Sequence, residues 1–120
     1  MPLHPVSTDY PWSYPFTEII DVRSPKEFAE DHIPNAISLP VLNDQERAEV
    51  GTLYKQKSPF VARKLGAAYV SQNISKHIKQ HFLGKPKTYF PVIYCWRGGQ
   101  RSQSMATVLT QIGWRTGLLA

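Results

Sequence analysis

The residues best equipped for chemistry lie in one run, Cys95-Trp96-Arg97-Gly98-Gly99-Gln100-Arg101-Ser102. Cys95 is the sole cysteine of the chain. The thiolate is the nucleophilic form of a thiol, and a helix N-terminus or cationic neighbours lower the pKa from about 8.5 by one to several units. Both are on offer here. Gly98 and Gly99 allow a tight curl in which successive N–H groups converge on one centre, while Arg97 and Arg101 add full positive charge. The same cradle suits an anion carried on the sulfur: a persulfide, a selenopersulfide or a phosphate. Packing accounts for a lone buried cysteine at a strand end, but not for two glycines, two arginines and a helix start within six residues.

The flanking residues supply the frame. Pro91-Val92-Ile93-Tyr94 reads as a short buried strand, β-branched and aromatic. Met105, Val108, Leu109 and Ile112 recur at helical spacing, and Gly113 stands where that helix stops. Upstream, Glu18 to Val22 reads as a second buried strand. Ser24, Pro25 and Glu27 then make an N-cap, a first helical residue and a capping box for a short helix to about Glu30. Asp31 to Asn35 is a turn held by His32, and Ala36 to Leu39 a third strand. That crossover is too short for adjacent strands unless its helix has only a turn or two. Asn43 or Asp44 caps a helix over 45–57. Ser58-Pro59 starts a long one to about Leu83, with Val70, Ile74, Ile78 and Phe82 at steps of four and Lys64, Lys76, His77 and Lys79 on its wetter side. Trp114 to Leu119 is a candidate final strand. Alternating strands and helices predict an α/β fold with a largely parallel central sheet and helices on both faces. Ligands in such sheets bind at the carboxyl ends of strands, where Cys95, Asp21 and Arg23 all fall.

A chain of 120 residues is one domain, burying roughly two-thirds of its unfolded surface. Residues 1–17, with four prolines among Tyr10, Trp12, Tyr14 and Phe16, read as an extended arm pinned by aromatics across a domain spanning 18–120; a PPII ligand for a partner is the other option. A single thiol excludes an internal disulfide and an internal resolving cysteine, so any adduct on Cys95 is discharged by an outside acceptor. No signal peptide or apolar run near 20 residues is apparent, which points to a cytoplasmic protein without a membrane span. The charge is segregated. All nine acidic residues lie in 1–49 with only Arg23, Lys26 and Arg47, a net −6; residues 50–120 hold the other eleven basic residues and no acid, a net +11. That half suits a polyanion, nucleic acid above all, or else is a solvated basic helix face.

Ile20-Asp21-Val22-Arg23-Ser24-Pro25-Lys26-Glu27-Phe28 and Asp31-His32-Ile33-Pro34-Asn35-Ala36-Ile37-Ser38-Leu39-Pro40 resemble the N-terminal signature of rhodanese-like domains. More narrowly, Thr52-Leu53-Tyr54-Lys55-Gln56, Ala62-Arg63-Lys64-Leu65-Gly66 and Cys95-Trp96-Arg97-Gly98-Gly99-Gln100-Arg101-Ser102 are similar to the tRNA 2-selenouridine synthase family over about residues 17–116. The resemblance implies a transferase replacing sulfur by selenium in wobble 2-thiouridine of tRNA. Selenophosphate is the implied selenium donor, and geranyl diphosphate forms an S-geranyl intermediate. It further implies that Cys95 is catalytic and Trp96 to Arg101 its loop. That family's second half carries a P-loop, and no Gly-x-x-x-x-Gly-Lys-Ser/Thr occurs here. The sequence thus reads as the rhodanese-like half, C-terminally truncated, with the P-loop expected from a separate chain or half.

Two other functions stay open on the residues. Cys95 to Arg101 also has the Cys-x5-Arg spacing of cysteine phosphatases, wide enough for a tetrahedral oxyanion gripped by Arg101, though Tyr94 replaces the usual His. The same width favours a phosphorus-bearing ligand such as selenophosphate. The other alternative is a non-catalytic tRNA- or partner-binding module. Arg63 and Lys64 are candidate tRNA phosphate contacts. Trp96 stacks a base or a prenyl chain, or plugs the loop. Asp21 and Arg23 form a supporting pair at a strand end. His77 and His81 stand four apart, but with no Cys or carboxylate near them in sequence, no metal is expected.

Overall fold

Pro91-Val92-Ile93-Tyr94 forms β4, buried at every position and the middle strand of a five-stranded sheet. The computed structural model describes residues 4–95 and 99–120. The other strands are β1 (Val6–Thr8), β2 (Glu18–Asp21), β3 (Ile37–Ser38) and β5 (Gly117–Leu119). Their order is β1-β5-β4-β2-β3, and every neighbouring pair is parallel. All carboxyl ends therefore lie along one edge of the sheet. β2 and β3 are adjacent, and their crossover closes because α1 (Pro25–Glu30) has only six residues.

Sheet register sorts the side chains. Ile20 lies opposite Ile93 and Ile37, and Ile93 opposite Leu118, so these four share one face. Ile20 and Ile93 are fully buried with Ile74, Phe82, Met105 and Leu109 from the helices. On the opposite face Val92 lies beside Gly117, and Phe16 packs there. A Cβ on Gly117 would fall inside the Phe16 ring, so this strand position must be glycine for the arm to lie down.

Helices α2 (Asp44–Gln56) and α3 (Pro59–His77) begin where short polar residues cap them, while α4 (Gln100–Ile112) begins after Gly99. Asn43 caps α2: its Oδ1 accepts the Glu46 N–H at 2.7 Å, and Glu46 Oε1 accepts the Asn43 N–H at 2.9 Å. Ser58 Oγ accepts the Val61 N–H at 3.1 Å ahead of Pro59. In α1 the Glu27 carboxylate accepts from the N–H and Oγ of Ser24, at 3.1 and 2.8 Å.

Two expectations are corrected. The long helix does not run as α-helix to Leu83; after His77 it widens into a π-helical turn, Ile78–Phe82. Apolar steps of four overshoot a 3.6-residue turn by about 40° each time, and a wider turn takes up that drift and returns Phe82 to the core. His77 does not lie on the wet side. It is buried, with Nε2 2.6 Å from the Pro40 carbonyl, and burial pushes its pKa down. At the other end of the chain, β1 joins the sheet as an edge strand, the Val6 N–H donating to the Thr116 carbonyl at 2.8 Å and the Ala120 N–H to that of Thr8 at 2.8 Å.

Candidate active site

Cys95 follows β4 directly, at the carboxyl edge of the sheet. Its side chain meets the first turn of α4. The Ser102 N–H points at Sγ from 3.4 Å, Sγ lies 3.2 Å from Ser102 Oγ, and that hydroxyl lies 3.0 Å from the Gly99 carbonyl. Ser102 is the third residue of α4, whose amide a capping side chain normally satisfies. The N-cap here is Gly99, which has no side chain, and the sulfur takes that role. Gly99 is left-handed, φ +48°, and a Cβ there would stand 2.8 Å from Ser102 Oγ and 3.7 Å from Sγ. Glycine thus serves both the backbone turn and the room around the sulfur. An anion on Sγ faces the Ser102 N–H and the positive end of the helix dipole.

Beside this turn lie two ion pairs. Arg23 and Asp21, side chains 5% and 0% exposed, make a bidentate pair with Nε 3.1 Å and Nη2 2.9 Å from Oδ2. The hydrogen bond to Asp21 raises the Arg23 pKa above its ordinary value. Its guanidinium also reaches Asp31 and lies 5.7 Å over the Tyr94 ring. Tyr94 Oη accepts the Ile33 N–H at 3.0 Å; burial pushes its phenol up to about 12, with the Asp21 carboxylate adding to the effect. The second pair was not foreseen. Arg101 Nη1 and Nη2 lie 2.8 and 3.4 Å from the Glu27 carboxylate, which Arg47 also approaches at 3.4 Å. Burial acts to raise the Glu27 carboxyl, but the hydrogen bonds from Arg101 and Ser24 and the Arg101 charge outweigh it and hold it at about 2. The capping position accounts for Glu27 locally, and no signal near it in the sequence points to a partner 74 residues on.

The rhodanese-like domain family matches residues 10–120, nearly the whole chain and both sides of the Cys95 turn. The chain belongs to this family. It is 45% identical over 91 residues to the tRNA 2-selenouridine synthase of Nitrosomonas europaea, covering 72% of this chain and 23% of that protein. The synthase of Bdellovibrio bacteriovorus is 41% identical over 105 residues, covering 84% and 27%. The chain thus spans about a quarter of the length of these curated relatives. Among solved structures it superposes on the N-terminal domain of a protein described as ATP/GTP-binding, from Clostridium difficile 630. There the TM-score is 0.70 at 38% identity, covering 84% of this chain and 78% of that one.

Within this rhodanese-like domain, Cys95, Gly99 and Ser102 come together, and Gln100 and Arg101 follow on the same turn. Trp96, Arg97 and Gly98 lie outside the described residues. Gln100, Arg101 and Ser104 also line a groove of about 750 Å³ between α2, α3 and α4, walled by Val50, Tyr54, Val70, Ile74, Ile78 and Val108. Arg63 borders it, and the Lys64 ammonium sits 5.1 Å over the Phe60 ring; both basic residues are exposed on α3. His81 does have a carboxylate, Glu18, at 2.7 Å, but from β2 rather than from its own helix, and His77 is turned to Pro40. Among the described residues no cluster of three metal-ligating side chains occurs, and no helix is long and apolar enough to cross a membrane.

Proposed function

We propose that this chain is the chalcogen-handling domain of a tRNA 2-selenouridine synthase, with Cys95 the nucleophilic sulfur in replacement of sulfur by selenium at wobble 2-thiouridine. The observation that carries this reading is the seat of Sγ at the carboxyl edge of a parallel sheet, against the Ser102 amide and hydroxyl. The identity to the Nitrosomonas and Bdellovibrio synthases supports the substrate. Selenophosphate is the donor anion for this cradle. The groove beside α4 suits the apolar chain of geranyl diphosphate, with Arg63 and Lys79 among its lining for the diphosphate. A nucleotide-binding P-loop half comes from outside these 120 residues, in keeping with the Clostridium neighbour being one domain of a protein described as ATP/GTP-binding. Arg63 and Lys64 contact tRNA phosphates.

Engagement of Arg101 by Glu27 weighs against a phosphatase, whose loop arginine must grip substrate oxygens. The same engagement favours a second reading, a non-catalytic tRNA-binding module. Mass spectrometry of the purified chain after incubation with thiosulfate or selenosulfate, from which a thiolate takes the outer chalcogen atom and releases sulfite, separates the two. A selenium or sulfur adduct on Cys95 that Cys95→Ser abolishes is the expected result. An unmodified cysteine with alkylation kinetics equal to those of an unstructured peptide thiol, alongside tRNA binding indifferent to Cys95→Ser, would leave only the binding module.

A further inference from the structure

The same carboxyl edge of the sheet carries a feature the chemistry above does not use. β1 runs parallel to β5, and β5 to β4, with Thr8 opposite Leu119 and Ile93 opposite Leu118. The residues that follow Thr8 therefore emerge at the end of the sheet from which Cys95 emerges, about two strand spacings, roughly 10 Å, to the side. There the chain folds into a tight turn. Thr8 Oγ1 donates to the Tyr10 carbonyl at 3.1 Å, the Ser13 N–H and Oγ reach the same carbonyl at 3.3 and 2.9 Å, and the Thr8 and Ser13 hydroxyls bond each other. The turn presents two rings. Tyr10 and Trp12 stack with centroids 5.1 Å apart and planes 27° from parallel, yet stay 54% and 75% exposed. Phe16, farther along the same arm, is instead packed beside Phe90, 4.7 Å between centroids. The arm thus spends some of its aromatics on the core and holds two outward, already in a stacking geometry.

We propose that Tyr10 and Trp12 form a stacking platform for a nucleobase of an RNA strand laid along this edge, next to the base delivered to Cys95. The proposal rests on the RNA substrate inferred above. A base has a flat π-face that extends a ring stack whatever its sequence, and the net charge of +5 on the chain as a whole favours a polyanionic strand over a neutral or basic protein surface.

The test measures binding of two probes to the intact chain, an anticodon stem-loop bearing 2-thiouridine and a mixed-sequence single-stranded RNA, at several salt concentrations. Trp12→Ala should weaken both by about 5- to 150-fold with the salt slope unchanged, because stacking removes no counterion. Trp12→Phe should keep most of the affinity. The tryptophan emission present in wild type and missing in Trp12→Phe should be quenched on binding. Stem-loop affinity unaltered by Trp12→Ala and Tyr10→Ala, without that quenching, overturns the platform and leaves the selenouridine reading standing. Equal affinity for both probes, still lost in Trp12→Ala, upholds the platform and counts against the wobble-base substrate. Indifference to all RNA, with self-association in sedimentation that Trp12→Ala abolishes, assigns the rings to a protein contact and overturns the proposal.

Discussion

Glu27 joins three jobs in one carboxylate: it caps α1, holds Arg101 and receives Arg47. Its carboxyl sits at about 2 in the folded protein against an ordinary 4.5, so it stabilises the fold at pH above 4.5 and that contribution drains away as pH falls toward 2. Full linkage would be worth about 3 kcal/mol, which solvent screening of a partly exposed pair reduces to about 1–2 kcal/mol. Urea titrations of wild type and Glu27→Gln should therefore differ at pH 6 and converge by pH 2; a constant gap across that range would refute the assignment. The Asp21–Arg23 pair is of another kind, because both side chains are buried. Asp21→Asn leaves a buried guanidinium with the exposed Asp31 carboxylate in place of its buried partner and should cost about 3 kcal/mol in the same measurement. The pairing of Asp21 with Arg23 was legible because the two residues stand two apart at one strand end. The pairing of Glu27 with Arg101 was not, because it depends on how α1 and α4 meet across the sheet.

Elements were legible wherever a short polar residue and a proline or glycine mark an end. Ser24-Pro25, Asn43 and Ser58-Pro59 each start a helix as expected, and Gly113 ends one. The π-helical turn escaped, since steps of four from Val70 to Phe82 are written the same way whether the helix drifts or widens. The strand formed by Val6 to Thr8 escaped too: three residues amid prolines acquire their conformation only from the exposed edge of β5. Gly117 ties that edge to the arm. Gly117→Ala should destabilise the domain by about 1–3 kcal/mol through the clash with Phe16. Combining it with Phe16→Ala should cost less than the sum of the two single changes. Strict additivity in thermal melts would show that the ring is not what excludes the methyl group.

For the molecule as a whole, the segregation of charge bears on the proposed tRNA partner. Counterion release predicts that tRNA binding weakens steeply with salt, and that Arg63→Ala with Lys64→Ala lowers the slope of log K against log salt by about two; an unchanged slope would place the phosphates elsewhere. The groove and the sulfur meet in Gln100, Arg101 and Ser102, three successive residues of α4. One amide ties these scales together. Because the sulfur of Cys95 closes off the Ser102 N–H, an adduct that draws the sulfur away leaves the start of a thirteen-residue helix frayed. If Cys95 is the nucleophile proposed above, deuterium uptake at that backbone position reports the state of its sulfur, slow while the thiol is bare and quick while it carries an adduct.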